Sequence, residues 1–256
     1  MDSTYMAYFW AILVIVIGII VAVVSYRAAG QRHLAAKQWA ALNGCVYMPN
    51  NPAITSYFKG RPFIGGFTAK VSDFIEGKTP KGHTFCSFQY SYVVSTGKSS
   101  TTVYVAVAAI RLPSALPQLT VSNESIGGKI AQFFGGKDIQ LESDDFNNEF
   151  RVQSDNEAFA YGVLTPQTME SLMGPVRDLV PFAIKGADLI CWRTGYPDYM
   201  TLGGQLAAMD ALVGAIPQGV YEQYARPAPA QYWWTPGVTV GQLKASPLRN
   251  LYRPLQ

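Results

Sequence analysis

An uncharged run from Ser3 to Tyr26 opens the chain, and no other stretch restricts the possible folds as much. YMAYFWAILVIVIGIIVAVVSY supplies about twenty apolar residues, which at about 1.5 Å each cross a hydrocarbon core of about 30 Å. Tyr5, Tyr8, Phe9 and Trp10 crowd one end and Tyr26 closes the other, as aromatic belts at two interfaces do. The segment before the run holds only Asp2, the run is too long for a signal core, and SYRAAGQR offers no convincing cleavage site. Residues 1–26 are therefore expected to be a retained single-span anchor carrying a soluble domain.

Orientation follows from the flanks. Asp2 precedes the span, whereas Arg27, Arg32 and Lys37 follow it, so the N-terminus is expected outside the cell membrane and the rest in the cytoplasm. Tyr5, Tyr8, Trp10, Tyr26, Arg27 and Arg32 are the expected interface residues, and His33 is expected to meet headgroups. Cys45, Cys86 and Cys191 are odd in number and widely spaced, which is no disulfide framework. The sequon Asn123-Glu124-Ser125 matters only in a glycosylating lumen and is discounted.

Helical spacing continues past the span. Ala35, Trp39 and Leu42 recur at i, i+4, i+7 ahead of the stop Asn43-Gly44, predicting a juxtamembrane helix over 27–44 whose three apolar residues pack on the domain. From Cys45 the period becomes two. Cys86, Phe88, Tyr90, Tyr92 and Val94 form one face of a strand, 95-STGKSS-100 reads as a hairpin loop, and 101-TTVYVAVAAI-110 returns. The segment 67-FTAKVSDFI-75 with the turn 76-EGKTPKG-82 suggests a further antiparallel partner. Pro113 and Pro117 are expected to end this meander, with 118-QLTVSN-123 as one more strand.

The second half mixes types. Ile126, Ile130 and Phe133-Phe134 suggest a short helix, Ser154 with Glu157 a capping box, and Thr165-Pro166 the N-cap and first residue of a helix ending at Gly174-Pro175. The segment 183-AIKGADLICW-192 resembles a tight hairpin at Lys185-Gly186. Leu202, Leu206, Met209, Val213 and Ile216 mark a last helix stopped by Pro217. The fold expected is α+β: a mainly antiparallel sheet with packed helices over 45–222, then an extended tail over 223–256. That tail combines Pro227, Pro229, Pro236, Pro247 and Pro254 with Tyr232, Trp233, Trp234 and Tyr252. It carries Arg226, Lys244, Arg249 and Arg253 and no acidic residue, a composition suited to lying along a partner.

Catalytic patterns are thin. Gly97-Lys98-Ser99 lacks the glycine five residues upstream that a phosphate-binding loop needs, since Tyr92 stands there. The pairs Gly127-Gly128 and Gly135-Gly136 are read as turns. There is no Gly-x-Ser-x-Gly, and His33 and His83 are the only histidines. A His83–Cys86 pair on one strand points to opposite faces. None of the cysteines has a nearby partner for zinc, so no cofactor and no metal site is assigned. Asp138, Glu142, Asp144, Asp145 and Glu149 cluster without a calcium-loop pattern and read as a solvated edge or an ionic contact with a basic partner. A net charge of +3 with 14% charged residues is far from a nucleic-acid footprint, and no small-molecule substrate is identified.

The stretches 110-IRLPSALPQLTV-121, 135-GGKDIQLESDDFNNEFRV-152 and 164-LTPQTMESLM-173 together carry a resemblance. They resemble actinobacterial membrane proteins of unknown function with one N-terminal span and a cytoplasm-facing α+β domain. The similarity covers roughly residues 27 to 222, and its most specific part is the ESDDFN…FRV block with the following LTP. It implies a fold class and a bacterial setting but no catalytic residues.

Three readings follow, in order. The first is a non-catalytic, membrane-anchored accessory or scaffold subunit docking onto an integral-membrane complex, with a respiratory complex as one host. Trp233, Trp234 and Tyr252 would anchor it, and Arg249 and Arg253 would meet acidic surface or lipid phosphates. The second is a membrane-tethered sensor of lipid or another small ligand, favoured by a large open pocket among Phe88, Tyr90 and Tyr92. The last is a metal-dependent enzyme using the 138–149 carboxylates.

Overall fold

The computed structural model describes residues 3–58, 60, 62–64, 66–95, 97, 99–123 and 137–227, with backbone alone at 3–5 and 7. The apolar run and the segment after it form one helix, α1 (Ser3–Leu42), of 40 residues. At 1.5 Å per residue it is about 60 Å long. Its most apolar stretch has a mean hydropathy of 2.8 and is not buried by the rest of the chain, so α1 is long and apolar enough to cross a membrane. The helix stops where Asn43-Gly44 predicts. Gly44 takes φ +63°, the Cys45 N–H donates to Ala40 O at 2.8 Å, and Asn43 Nδ2 donates to Trp39 O at 2.7 Å.

Only the last turns of α1 touch the domain, by a face that includes the expected Trp39 but is shifted from Ala35 and Leu42. Ala36, Trp39 and Ala40 are buried, Ala35 is half-buried, and Leu42 is 78% exposed. Small Ala36 and Ala40 let the helix lie close to the sheet, and Trp39 meets Phe85 edge-on with ring centroids 6.3 Å apart.

The sheet has seven antiparallel strands: β1 (Val46–Asn50), β2 (Lys70–Lys78), β3 (Thr84–Ser95), β4 (Ser100–Asn123), β5 (Lys137–Ile139), β6 (Phe150–Ser154) and β7 (Phe182–Thr194). Their order is β1-β2-β3-β4-β6-β5, with β7 also on β4. The 24-residue β4 is the spine, pairing with β3, β7 and β6 in turn. Pro113 and Pro117 do not end it. They fall between Arg111 and Leu119, where its register against β7 shifts twice, so the missing N–H groups sit where the ladder is interrupted.

The free hairpin expected at Lys185-Gly186 is instead a sharp bend within β7, which follows β4 on both sides of the bend. Gly186 takes φ +59° there, and the Trp192 N–H comes within 3.4 Å of Pro181 O. Eleven residues of straight strand would separate those two by about 36 Å.

Among the described residues, five further helices lie in the main layer: α3 (Asp144–Glu149), α4 (Glu157–Val163), α5 (Pro166–Met173), α6 (Leu202–Ala215) and α7 (Gln218–Tyr224), while α2 (Ala53–Tyr57) lies on the opposite side. Thr165 caps α5 by accepting from the Thr168 N–H, as its position before Pro166 predicts. The Ser154 capping box does not form. Asn156 caps α4 by accepting from the Phe159 N–H, whereas Ser154 Oγ donates to Gln118 O at 2.6 Å and ties β6 to β4. Pro217 stops α6 but also opens α7, after which Ala115 and Arg226 exchange two backbone hydrogen bonds. The helix expected over 126–134 lies outside the described residues.

Two cores flank the sheet. The larger joins Trp39, Phe85, Phe146, Phe150, Phe159, Phe182, Leu206 and Met209 between the sheet and the helices. The smaller gathers Phe58, Phe63, Phe74, Phe88, Tyr90 and Trp192 under the segment carrying α2. Each such side chain contributes roughly 1.5–3 kcal/mol by its burial. The segment is pinned by polar contacts: the Arg111–Asp188 pair closes at 3.3 Å, and the Tyr57 hydroxyl donates to Asp188 at 2.7 Å.

Glu76 is buried on β2, and desolvation raises its carboxyl from 4.5 to about 7. The folded acid therefore holds its proton to higher pH than the unfolded one. Stability falls as pH rises from 4.5 through 7, by on the order of 3 kcal/mol. Replacing Glu76→Gln is expected to flatten the pH dependence of urea unfolding between pH 5 and 8 and to raise the midpoint at pH 8.

Candidate functional site at the helix–sheet junction

The most specialised geometry lies where α1 meets β2. Ser72 opposes Gln89 and Ile75 opposes Ser87, so three steps along β2 match two along β3 and a bulge results. Asp73 sits in that bulge at φ +52°, in the left-handed region that non-glycine residues seldom occupy. Its side chain is 2% exposed. Oδ1 accepts from His33 Nδ1 at 2.6 Å and from the Tyr47 hydroxyl at 2.8 Å.

His33 thus engages the domain, and its side chain stays half-exposed. Burial, reinforced by Asp73, raises the Tyr47 phenol far above its ordinary range and does the same to Tyr199. Both stay protonated at neutral pH, which suits donors and not bases. The Tyr199 hydroxyl is buried without a hydrogen-bond partner among the described residues. The constellation holds α1, β1 and β2 together; its chemistry is that of a clamp.

Beside the clamp runs an apolar groove of about 590 Å³, lined by Ala35, Trp39 and Leu42 of α1 and by Pro197, Tyr199 and Met200 of the facing loop. Two of the three helix residues expected to pack on the domain, Ala35 and Leu42, instead line this open groove. At one end the Arg32 guanidinium lies 3.6 Å over the Tyr196 ring, with Nε donating to Ala28 O at 3.1 Å. At the other, Leu42 and Met200 are strongly exposed.

The remaining candidates disperse. Of the expected interface residues, Tyr8, Trp10, Tyr26 and Arg27 are exposed on α1, Arg32 is half-buried against Tyr196, and the Tyr5 side chain lies outside the described residues. So do Trp233, Trp234, Arg249, Tyr252 and Arg253. His83 turns away from Cys86 and its Nδ1 lies 2.8 Å from Asp210 Oδ1, which also accepts from Thr79. The acidic stretch is divided: Asp138 pairs with Arg151, and Glu149 with Arg177 at the edge of a polar cleft. Among the described residues no three His, Cys, Asp or Glu side chains are placed to hold a metal ion. Phe88 and Tyr90, proposed to line a pocket, are covered by the chain itself, Phe63 lying 5.2 Å from Tyr90 and Phe58 5.9 Å from Phe88 between ring centroids.

Asp73, Tyr47 and Tyr199 escape sequence reasoning. The available signal was an acid in the otherwise alternating strand VSDFI, which marks an inward carboxylate only once the bulge is known.

A family model, "Protein of unknown function (DUF3137)", matches residues 98–185, the stretch from β4 into β7 that contains the resemblance motifs. No curated protein sequence matches the chain. In fold, the chain is similar to the crystal structure of the mycobacterial trehalose monomycolate transport factor A, TtfA. The TM-score is 0.54 at 12% identity, covering 75% of this chain and 97% of that one. The matched family carries no stated function, the solved structure is of a transport factor, and neither points to a respiratory complex.

Replacing Asp73→Asn keeps a residue tolerant of positive φ but removes the charge. The expected loss is about 1.5–3 kcal/mol, with about 1 kcal/mol for Tyr47→Phe, read by chemical unfolding of the full chain in detergent. Equal stability of all three proteins would refute the clamp.

Proposed function

We propose that this chain is a non-catalytic, membrane-anchored accessory factor that docks onto a membrane transport assembly. The observation that carries this reading is the unbroken α1, whose apolar half leads directly into the part clamped by Asp73. Such a helix fixes the domain's height and azimuth at the bilayer, which a scaffold needs and a freely tethered domain lacks. The fold likeness to a transport factor favours a transport assembly as host over the respiratory complex. In this reading residues 1–26 span the cell membrane with the N-terminus outside, 27–44 form the strut, 45–222 the cytoplasmic domain and 223–256 the docking tail. Its partner contacts are Trp233, Trp234, Arg249, Tyr252 and Arg253, because large aromatics and arginines dominate contact energetics.

The test is co-purification in mild detergent from native membranes with a tag before Asp2. A fixed set of integral-membrane proteins is expected. Replacing Trp233 and Trp234 by Ala should lower recovery by roughly tenfold or more. Deletion of 228–256, which spares the Ala115–Arg226 bridge, should do the same while the domain stays folded. Undiminished recovery would refute docking through the tail.

The apolar groove supports a second reading, a lipid-binding domain, because its wall begins at Ala28, just past the apolar run. Ala35→Trp would fill the groove and is expected to abolish lipid carried through purification, measured by mass spectrometry of extracted lipid. Lipid retained at the parental ratio would exclude the groove as its site.

A further inference from the structure

One end of the domain carries apolar side chains that neither core uses. Phe67, in the tight turn Gly66–Thr68, is fully exposed, and Ile64, Val93 and Val94 are each more than 40% exposed. The Val93 N–H donates to Thr68 Oγ1 at 3.1 Å, seating the Phe67 turn against the end of β3, and Ile64 lies three residues before Phe67. Single exposed apolar residues are ordinary on a protein surface, but four gathered at one end, including a bare phenylalanine, mark a contact surface.

The position of that end relative to α1 identifies the contact. Three contacts relate the direction of α1 to that of β3, one direct and two through neighbouring elements. Trp39 meets Phe85; His33 reaches Asp73 opposite residues 87–89; Arg32 covers Tyr196, which stacks at 4.7 Å on Tyr104, the ladder partner of Ser91. Moving from Trp39 to Arg32 toward the apolar run is therefore moving from Phe85 to Ser91 along β3. Beyond that level, Tyr26 lies six residues further along α1, about 9 Å. Val94 lies three residues beyond Ser91, about 10 Å. Val93, Val94 and Phe67 thus lie at the end of the domain nearest the apolar run.

We infer that Phe67, Ile64, Val93 and Val94 form a second membrane contact, inserting into the headgroup–acyl boundary of the bilayer that α1 crosses. Lys70, exposed and paired in register with Ser91, stands one step behind them, where lipid phosphates lie. The domain is then held to the bilayer at two points, by the helix and by this end of the sheet. The clamp makes the second contact rigid with respect to the first. The inference rests on α1 as a span and not on the accessory role, so co-purification can succeed or fail independently of it.

The experiment uses the full chain with Cys45→Ser, since Cys86 and Cys191 are buried. The protein is reconstituted in phosphatidylcholine–phosphatidylglycerol vesicles with brominated acyl chains. A fluorophore is attached in turn at Val94→Cys, at Ile17→Cys within the span, and at Pro80→Cys in the turn at the opposite end of β2 and β3. Bromine quenching is expected at 17 and 94 and not at 80, and Phe67→Asp should abolish it at 94 while leaving 17 unchanged. Quenching at 17 without quenching at 94 overturns the proposal, as does equal quenching at 94 and 80. An unquenched label at 17 removes the span and the proposal with it.

Discussion

A buried carboxylate at the foot of a long apolar helix organises this molecule. Asp73 sits in a bulge at φ +52° and receives a proton donor from α1 and another from β1. A hydrogen bond to a buried carboxyl oxygen is worth more than its counterpart at the surface. Backbone strain of this kind persists only where the surroundings over-determine it. Here the surroundings are Trp39 on Phe85 below and Arg32 on Tyr196 above, so three contacts along the helix hold it in one orientation.

That orientation shapes the surfaces nearby. Because Ala36 and Ala40 face the sheet, Ala35 and Leu42 turn outward and meet the 197–200 loop across an apolar groove. A rotation of α1 by one residue would close the groove and bring His33 away from Asp73. The opposite face of the sheet is sealed by its own chain, with Phe58 and Phe63 stacked over Phe88 and Tyr90. The open apolar groove therefore lies at the helix junction and not on the aromatic strand face, where composition suggests it.

Much of the local architecture was legible in the residues themselves. The run from Ser3 to Tyr26, the stop at Asn43-Gly44, the period-2 strands and the Thr165-Pro166 helix start all depend on interactions within a few residues. Failures occurred where distant chain decides. Pro113 and Pro117 look like strand ends until β7 is seen to accommodate the gaps in β4, and Gly186 looks like a hairpin until its strand is seen to bend with its neighbour. Ser154 is a competent cap by spacing, but Gln118 O claims its hydroxyl.

The sequence by itself determined the α+β class, the long apolar helix and its extension toward the domain, because propensity and periodicity are local properties. It also determined that no familiar catalytic pattern is present. Only the tertiary structure decided which face of α1 is bound, that Asp73 is the residue binding it, and that Ala35 and Leu42 line a groove. It also decided that Phe67 shares an end with Val93 and Val94. These depend on strand register and on one extra residue in β2, and a shift of one position exchanges every inward side chain for an outward one.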